Sequence, residues 1–165
     1  MRIGSIDTGN TATSVIVNGE LIGTAGTVSF KDFSLTMLSG ARSTSFSSSA
    51  KQEIGGVVFN PLVLGPVHVH RKVYFRAVLE TTDATCGAYI ELYDPGSITA
   101  GSPGIVVGSQ LSTNALTPTM LEVDLTSVFD AVSNPGVIEA RLWCSPVIAG
   151  KQVICKGARI DVQWS

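Results

Sequence analysis

His68 and His70 are the only histidines in the chain, and they are the first place to look for chemistry. Read as part of one strand, Val67-His-Val-His70 sends both imidazoles from the same face, and neutral imidazole is a good ligand for zinc or copper. A third ligand would have to arrive from another strand, and none is nominated. Lys72, Tyr74 and Arg76 share the parity of the histidines and add positive charge that opposes a dication. The expectation is two exposed or interface histidines and no metal. Nucleophilic catalysis needs Ser or Cys beside a base and an orienting group. Serines abound, yet no Gly-x-Ser-x-Gly elbow occurs. Paired carboxylates can hydrolyse glycosides, but among Asp83, Glu91, Asp94, Glu122, Asp124 and Glu139 nothing singles out a pair. Gly19-Glu-Leu-Ile-Gly23 and Gly101-Ser-Pro-Gly104 do not open a helix as a phosphate loop does. The sequence therefore nominates no catalytic residue, no cofactor site and no metal site, and the chain is read as a non-enzyme.

Tyr74, Tyr89 and Tyr93 fall on polar-facing parities, with Trp143 opposite Leu142 and Ala140. Such rings suit either a sugar-stacking platform or a protein interface. Both readings stay open at this level.

The elements that position these residues are short alternating strands. Val73–Leu79, Ala88–Tyr93, Met120–Leu125, Val137–Trp143 and Ala158–Trp164 each alternate apolar with polar, the period of a strand with one face in a core. Turn residues separate them, including Tyr93-Asp-Pro-Gly96, and Ile105–Val107 starts a further short strand. The implied fold is all-β: an antiparallel sandwich of jelly-roll type. Its expected core is Val69, Val73, Phe75, Leu79, Ile90, Leu92, Leu121, Val123, Leu125, Leu142, Ile160 and Val162, with Arg71 an exception to the alternation. Asn18-Gly19 specifies a two-residue type I′ hairpin that pairs Val17 with Glu20 and Ile16 with Leu21. Changes of parity predict bulges at Lys31-Asp32 and Lys156-Gly157. Ser39 to Ser49 reads as a surface loop around Arg42 and Phe46. Ser127–Ser133, capped by Ser127, is the one short helix expected. Residues 1–12, rich in Gly, Thr and Asn, read as an N-terminal arm, and residues 13–165 as a single sandwich domain.

Composition narrows the class further. Of 165 residues, 44% are apolar and only 15% charged, below the ~25% charged of an average soluble domain. A surface that relies on hydroxyls is weakly defended against association, so part of it is expected to be covered by a partner. The net charge of −2 gives no electrostatic reason to expect nucleic acid or an anionic membrane. No apolar stretch reaches the ~18 residues of a membrane span, and no secretory leader is evident after Met1-Arg2. The chain is expected to be made in the cytoplasm of its host.

Leu92-Tyr-Asp94, Gly108–Thr113, Pro118–Leu121, Ile138–Trp143 and Val153–Trp164 together resemble a β-sandwich module of tailed-bacteriophage virion proteins, as found in capsid decoration (cement) proteins and in head or tail appendages. The resemblance spans about the C-terminal 100 residues and carries no diagnostic motif, so no functional residue transfers. It implies a protein of the virion that binds the major capsid protein or other virion subunits at the capsid surface, as a homo-oligomer with a trimer preferred. The alternative is a carbohydrate-binding module of a head or tail fibre that holds host glycans. Long fibres add coiled-coil or repeat segments, which this sequence lacks, and that favours the compact capsid-bound form.

The cysteines yield the first testable expectation. Cys86, Cys144 and Cys155 make an odd count, and the apolar contexts Leu-Trp-Cys144 and Val-Ile-Cys155 suit buried thiols, although spacing alone would permit a Cys144–Cys155 bridge. Thiol titration of the denatured, unreduced protein should find three; finding one would mean that two are paired.

Overall fold

Arg71–Thr81 and Val153–Trp164, the two longest strands, run antiparallel along their whole length and form the centre of one sheet. In the computed structural model the described residues are 15–17, 20–23, 32–43, 50–65, 68–96 and 103–164. They form β1 (Val15–Val17), β2 (Glu20–Gly23), β3 (Phe33–Leu38), β4 (Arg42–Ser43), β5 (Gln52–Phe59), β6 (Arg71–Thr81), β7 (Gly87–Asp94), β8 (Gly104–Ile105), β9 (Leu111–Thr113), β10 (Thr119–Asp124), β11 (Gly136–Ser145) and β12 (Val153–Trp164). A 3-10 turn covers Pro61–Leu64, and one short helix, α1, covers Thr126–Asp130.

One sheet has the order β10-β6-β12-β3, with β4 also on β12; the other has β5-β11-β7-β8, with β9 also on β7. Taken in chain order, β3, β5, β6, β7, β9, β10, β11 and β12 interleave as first-eighth-third-sixth and second-seventh-fourth-fifth. Every connection but that from β7 to β9 passes between the sheets. This is the double Greek key of a jelly roll. The inner faces share one core that includes Phe59, Val73, Phe75, Leu79, Ile90, Leu92, Leu125, Phe129, Ile138, Leu142, Ile160 and Val162. The β1–β2 hairpin forms its own sheet, with Val17 opposite Glu20 and Ile16 opposite Leu21, the register that a two-residue loop requires.

Several expectations need correction. Val69 is 82% exposed, because β6 starts only at Arg71 and the alternation cannot be extended back into the turn. Leu121 and Val123 are half-buried on an edge strand, packed against the core rather than inside it. The stretch read as a loop contains β4, which pairs Ser43 with Ile154 and Arg42 with Cys155; Phe46 lies outside the described residues. The helix is Thr126–Asp130, and Ser127 does not cap it. Thr126 ties it instead: its hydroxyl accepts the Val73 N–H at 2.9 Å. The strand β5 has no counterpart among the predicted elements.

The Lys156 bulge occurs as expected, since Cys155 faces Leu79 while Gly157 faces Val78. The proposed bulge at Lys31-Asp32 reaches outside the described residues, but β3 has one at Met37, where Ala158 faces Leu38 and Arg159 faces Thr36. A third lies at Ile54 in β5. The last two meet where the edges of the sheets close the sandwich: a β-carbon on Gly55 would stand 2.3 Å from the Met37 carbonyl oxygen. Only glycine admits that approach.

Gly55→Ala should therefore cost about 1–3 kcal/mol in urea unfolding, because strand backbone must move. Gly40→Ala, with nothing within 4 Å of the added carbon, should be close to neutral. Leu142→Ala should cost about 2–5 kcal/mol as a core truncation.

Candidate interaction faces

The outer face of the β10-β6-β12-β3 sheet is a cross-strand charge ladder. Strand pairing places Arg76 between Glu122 on β10 and Arg159 on β12. Arg76 donates to Glu122 at 2.8 Å and to Asp161 at 2.7 Å, and Arg159 donates to the same Asp161 oxygen at 2.9 Å. The Ser34 hydroxyl on β3 donates to the other Asp161 oxygen. Lys72 pairs with Asp124 at 3.4 Å, and Lys156 with Glu80 at 3.1 Å. Burial alone would raise the Asp161 carboxyl, but the hydrogen bonds from Ser34 and Arg76 and the charge of Arg159 outweigh it and hold the group below the usual 3.8. A groove of about 160 Å³ lies on this face between Thr36, Arg76, Val78, Met120 and Arg159.

The outer face of the other sheet carries aromatic rings topped by cations. Register pairs Trp143 with Tyr89, Arg141 with Glu91 and Glu139 with Tyr93. Trp143 and Tyr89 stack with centroids 5.4 Å apart and planes 16° from parallel. The Lys51 ammonium lies 4.5 Å from the Trp143 centroid and donates to both Glu91 oxygens at 2.7 and 2.8 Å. The Arg141 guanidinium sits 3.2 Å over Tyr93 and donates to Glu139. Trp143 is consequently only 9% exposed and Glu91 1%. The sequence expectation of an exposed Trp143 is corrected: neighbouring side chains close over the ring. On the opposite face Tyr74 likewise lies under the Arg76 guanidinium, 5.0 Å away.

His68 and His70 sit in the turn before β6 rather than in a strand. Their rings are 5.0 Å apart, and His68 Nδ1 accepts the His70 N–H at 3.2 Å. Among the described residues there is no group of three His, Cys, Asp or Glu side chains arranged to hold a metal. The carboxylates considered for catalysis are each engaged: Asp83 with Thr85 and Lys151, Glu91 with Lys51, Asp94 with the Gly96 N–H, Glu122 with Arg76, Asp124 with Lys72 and Thr126, Glu139 with Arg141. Cys86, Cys144 and Cys155 are buried thiols. Cys144 lies close to Cys86, which precedes β7, while Cys155 belongs to the other sheet. Burial foremost, then the Cys144 neighbour, raises Cys86, and burial pushes Cys155 up to about 11. Neither thiol is a ready nucleophile at neutral pH.

Arg71, the exception to the alternation, was missed as a structural cation. It is 2% exposed, pairs with Asp130 and donates to the Gly65 carbonyl at 2.8 Å. The only signal in the sequence was its wrong parity.

The strand order defines a jelly roll, and the comparisons agree with that class. No family model matches the chain, and no curated protein matches it. Its fold is similar to that of the infectious bursal disease virus VP2 subviral particle, with a TM-score of 0.50 and 10% identity over 81% of this chain and 32% of that one. It is also similar to the T13 IBDV viral particle, with a TM-score of 0.50 and 12% identity over 90% and 35% of the two chains. This chain thus spans about a third of the length of those proteins, and the likeness is one of fold.

The charge ladder makes a pH prediction. A folded pKa below the unfolded value means that Asp161 contributes full stability above the unfolded Asp pKa of about 4 and loses it as pH falls through the folded value. Asp161→Asn should cost about 1–3 kcal/mol at neutral pH. Its stability should then fall less steeply than that of the wild type below about pH 4. Parallel acid limbs in urea titrations would contradict this role.

Proposed function

We propose that this chain is a non-enzymatic structural protein of a virion, and specifically a capsid decoration (cement) protein of a tailed bacteriophage. In this reading it is made in the host cytoplasm and binds the major capsid protein or other virion subunits at the capsid surface as a homo-oligomer, with a trimer as the working stoichiometry. Residues 1–12 act as an arm and residues 13–165 as the body. The observation that carries the reading is the jelly-roll strand order combined with outer faces on which most charged groups pair with one another within the sheets. Such a protein offers surface rather than chemistry. The low charge and the likeness in fold to proteins of viral particles support it.

The alternative, a glycan-binding module of a fibre, draws less support. Sugar stacking needs an open ring face. Trp143 lies between Tyr89 and Lys51, and Tyr74 and Tyr93 each have a guanidinium over the ring.

Copy number in purified particles separates the two. Decoration predicts copies in the hundreds, set by capsid symmetry, whereas a few to a few dozen would mean an appendage. Deleting residues 1–12 should leave the fold intact and abolish rebinding to stripped capsids. Unchanged binding would remove the arm from the mechanism.

A further inference from the structure

The sandwich end at which residues 60–70 turn is also the end where the N-terminal segment joins. Arg71 binds the Gly65 carbonyl, Trp164 lies in register with Arg71, and the Trp164 N–H donates to Asp32 Oδ1 at 2.7 Å. Asp32, where the described chain resumes after the hairpin, therefore lies beside this turn. Apolar side chains gather at the same end. Val58 and Val137 are cross-strand partners on the outer sheet face, and Val58 is 80% exposed. Leu62, 84% exposed, Val63 and Val69 are further exposed apolar residues between β5 and β6. Five of the ten large apolar side chains exposed among the described residues lie here.

The β1–β2 hairpin has the complementary need. By sequence, Val15, Ile16, Val17, Leu21 and Ile22 occupy both parities of its two strands, and those strands pair only with each other among the described strands. A lone two-stranded hairpin is marginal in water unless something covers it. Residues 24–31 span up to roughly 26–29 Å when extended, enough to bring the hairpin onto any part of this end. A tether of that length gives a millimolar effective concentration, which favours the chain's own hairpin over a second copy.

We propose that the β1–β2 hairpin docks on the apolar end formed by Val58, Leu62, Val63, Val69 and Val137 of its own chain. This rests on the chain path and the exposed side chains and does not depend on the virion reading.

Hydrogen exchange of the full chain tests it, with a peptide of residues 12–26 as reference. Amides of 15–17 and 20–23 should exchange at least about tenfold more slowly in the full chain than in the peptide. Val58→Lys/Val137→Lys should abolish that protection while β6 and β12 stay protected. Ile16→Asp/Leu21→Asp should abolish it from the hairpin side and serves if the first variant fails to fold. Hairpin amides that exchange as in the peptide, or that stay protected in the variants, would overturn the proposal. Protection that falls on dilution together with an association seen in sedimentation would assign the surface to a second copy and also overturn it.

Discussion

The pairing of β6 with β12 is the interaction on which the rest of the molecule depends. Val73, Phe75, Ala77 and Leu79 on one strand and Cys155, Ala158, Ile160 and Val162 on the other turn inward and fill one side of the core. The same pleat turns Arg76 and Asp161 outward, so a single alternation produces both the apolar layer and the charge ladder. With these strands central, β10 and β3 occupy the flanks of the sheet. The intervening chain must then build the opposite sheet, which is how the jelly-roll order arises.

Charge is scarce in this sequence, and the structure spends it across strands. Asp161 alone gathers Ser34, Arg76 and Arg159 from three strands. Lys51 and Glu91 form a pair in which the carboxylate is nearly dry. Removing one partner of a buried pair is expensive because it leaves the other charge buried and uncompensated. A consequence follows for function: side chains already satisfied within the sheet are poor candidates for binding a substrate.

The sequence made the alternating strands legible because each has one wet face; β6, β7, β10, β11 and β12 all fall where the period-two pattern runs. The hairpin register follows from Asn18-Gly19, and the Lys156 bulge from a parity change. By contrast, β5 contains Gly55-Gly56 and apolar residues on both parities, so no alternation survives to mark it. β4 and β9 are too short to carry a period. Val69 misled because the parity was extended back past the start of β6, whereas Arg71 lies inside the strand and is buried on the inward parity despite its charge. The closure of Lys51 over Trp143 depends on segments distant in sequence, and no local pattern reports it.

The proposed role at a capsid surface requires the sandwich to recur on a particle at symmetry-related positions. Imaging of the purified particle that carries this chain, at a resolution that separates β-sheets, is the most direct measurement. The account predicts jelly-roll density of this strand order repeated over the outside of the capsid, in contact with the major capsid protein. Density confined to a tail or fibre, or absent from the particle altogether, would contradict it.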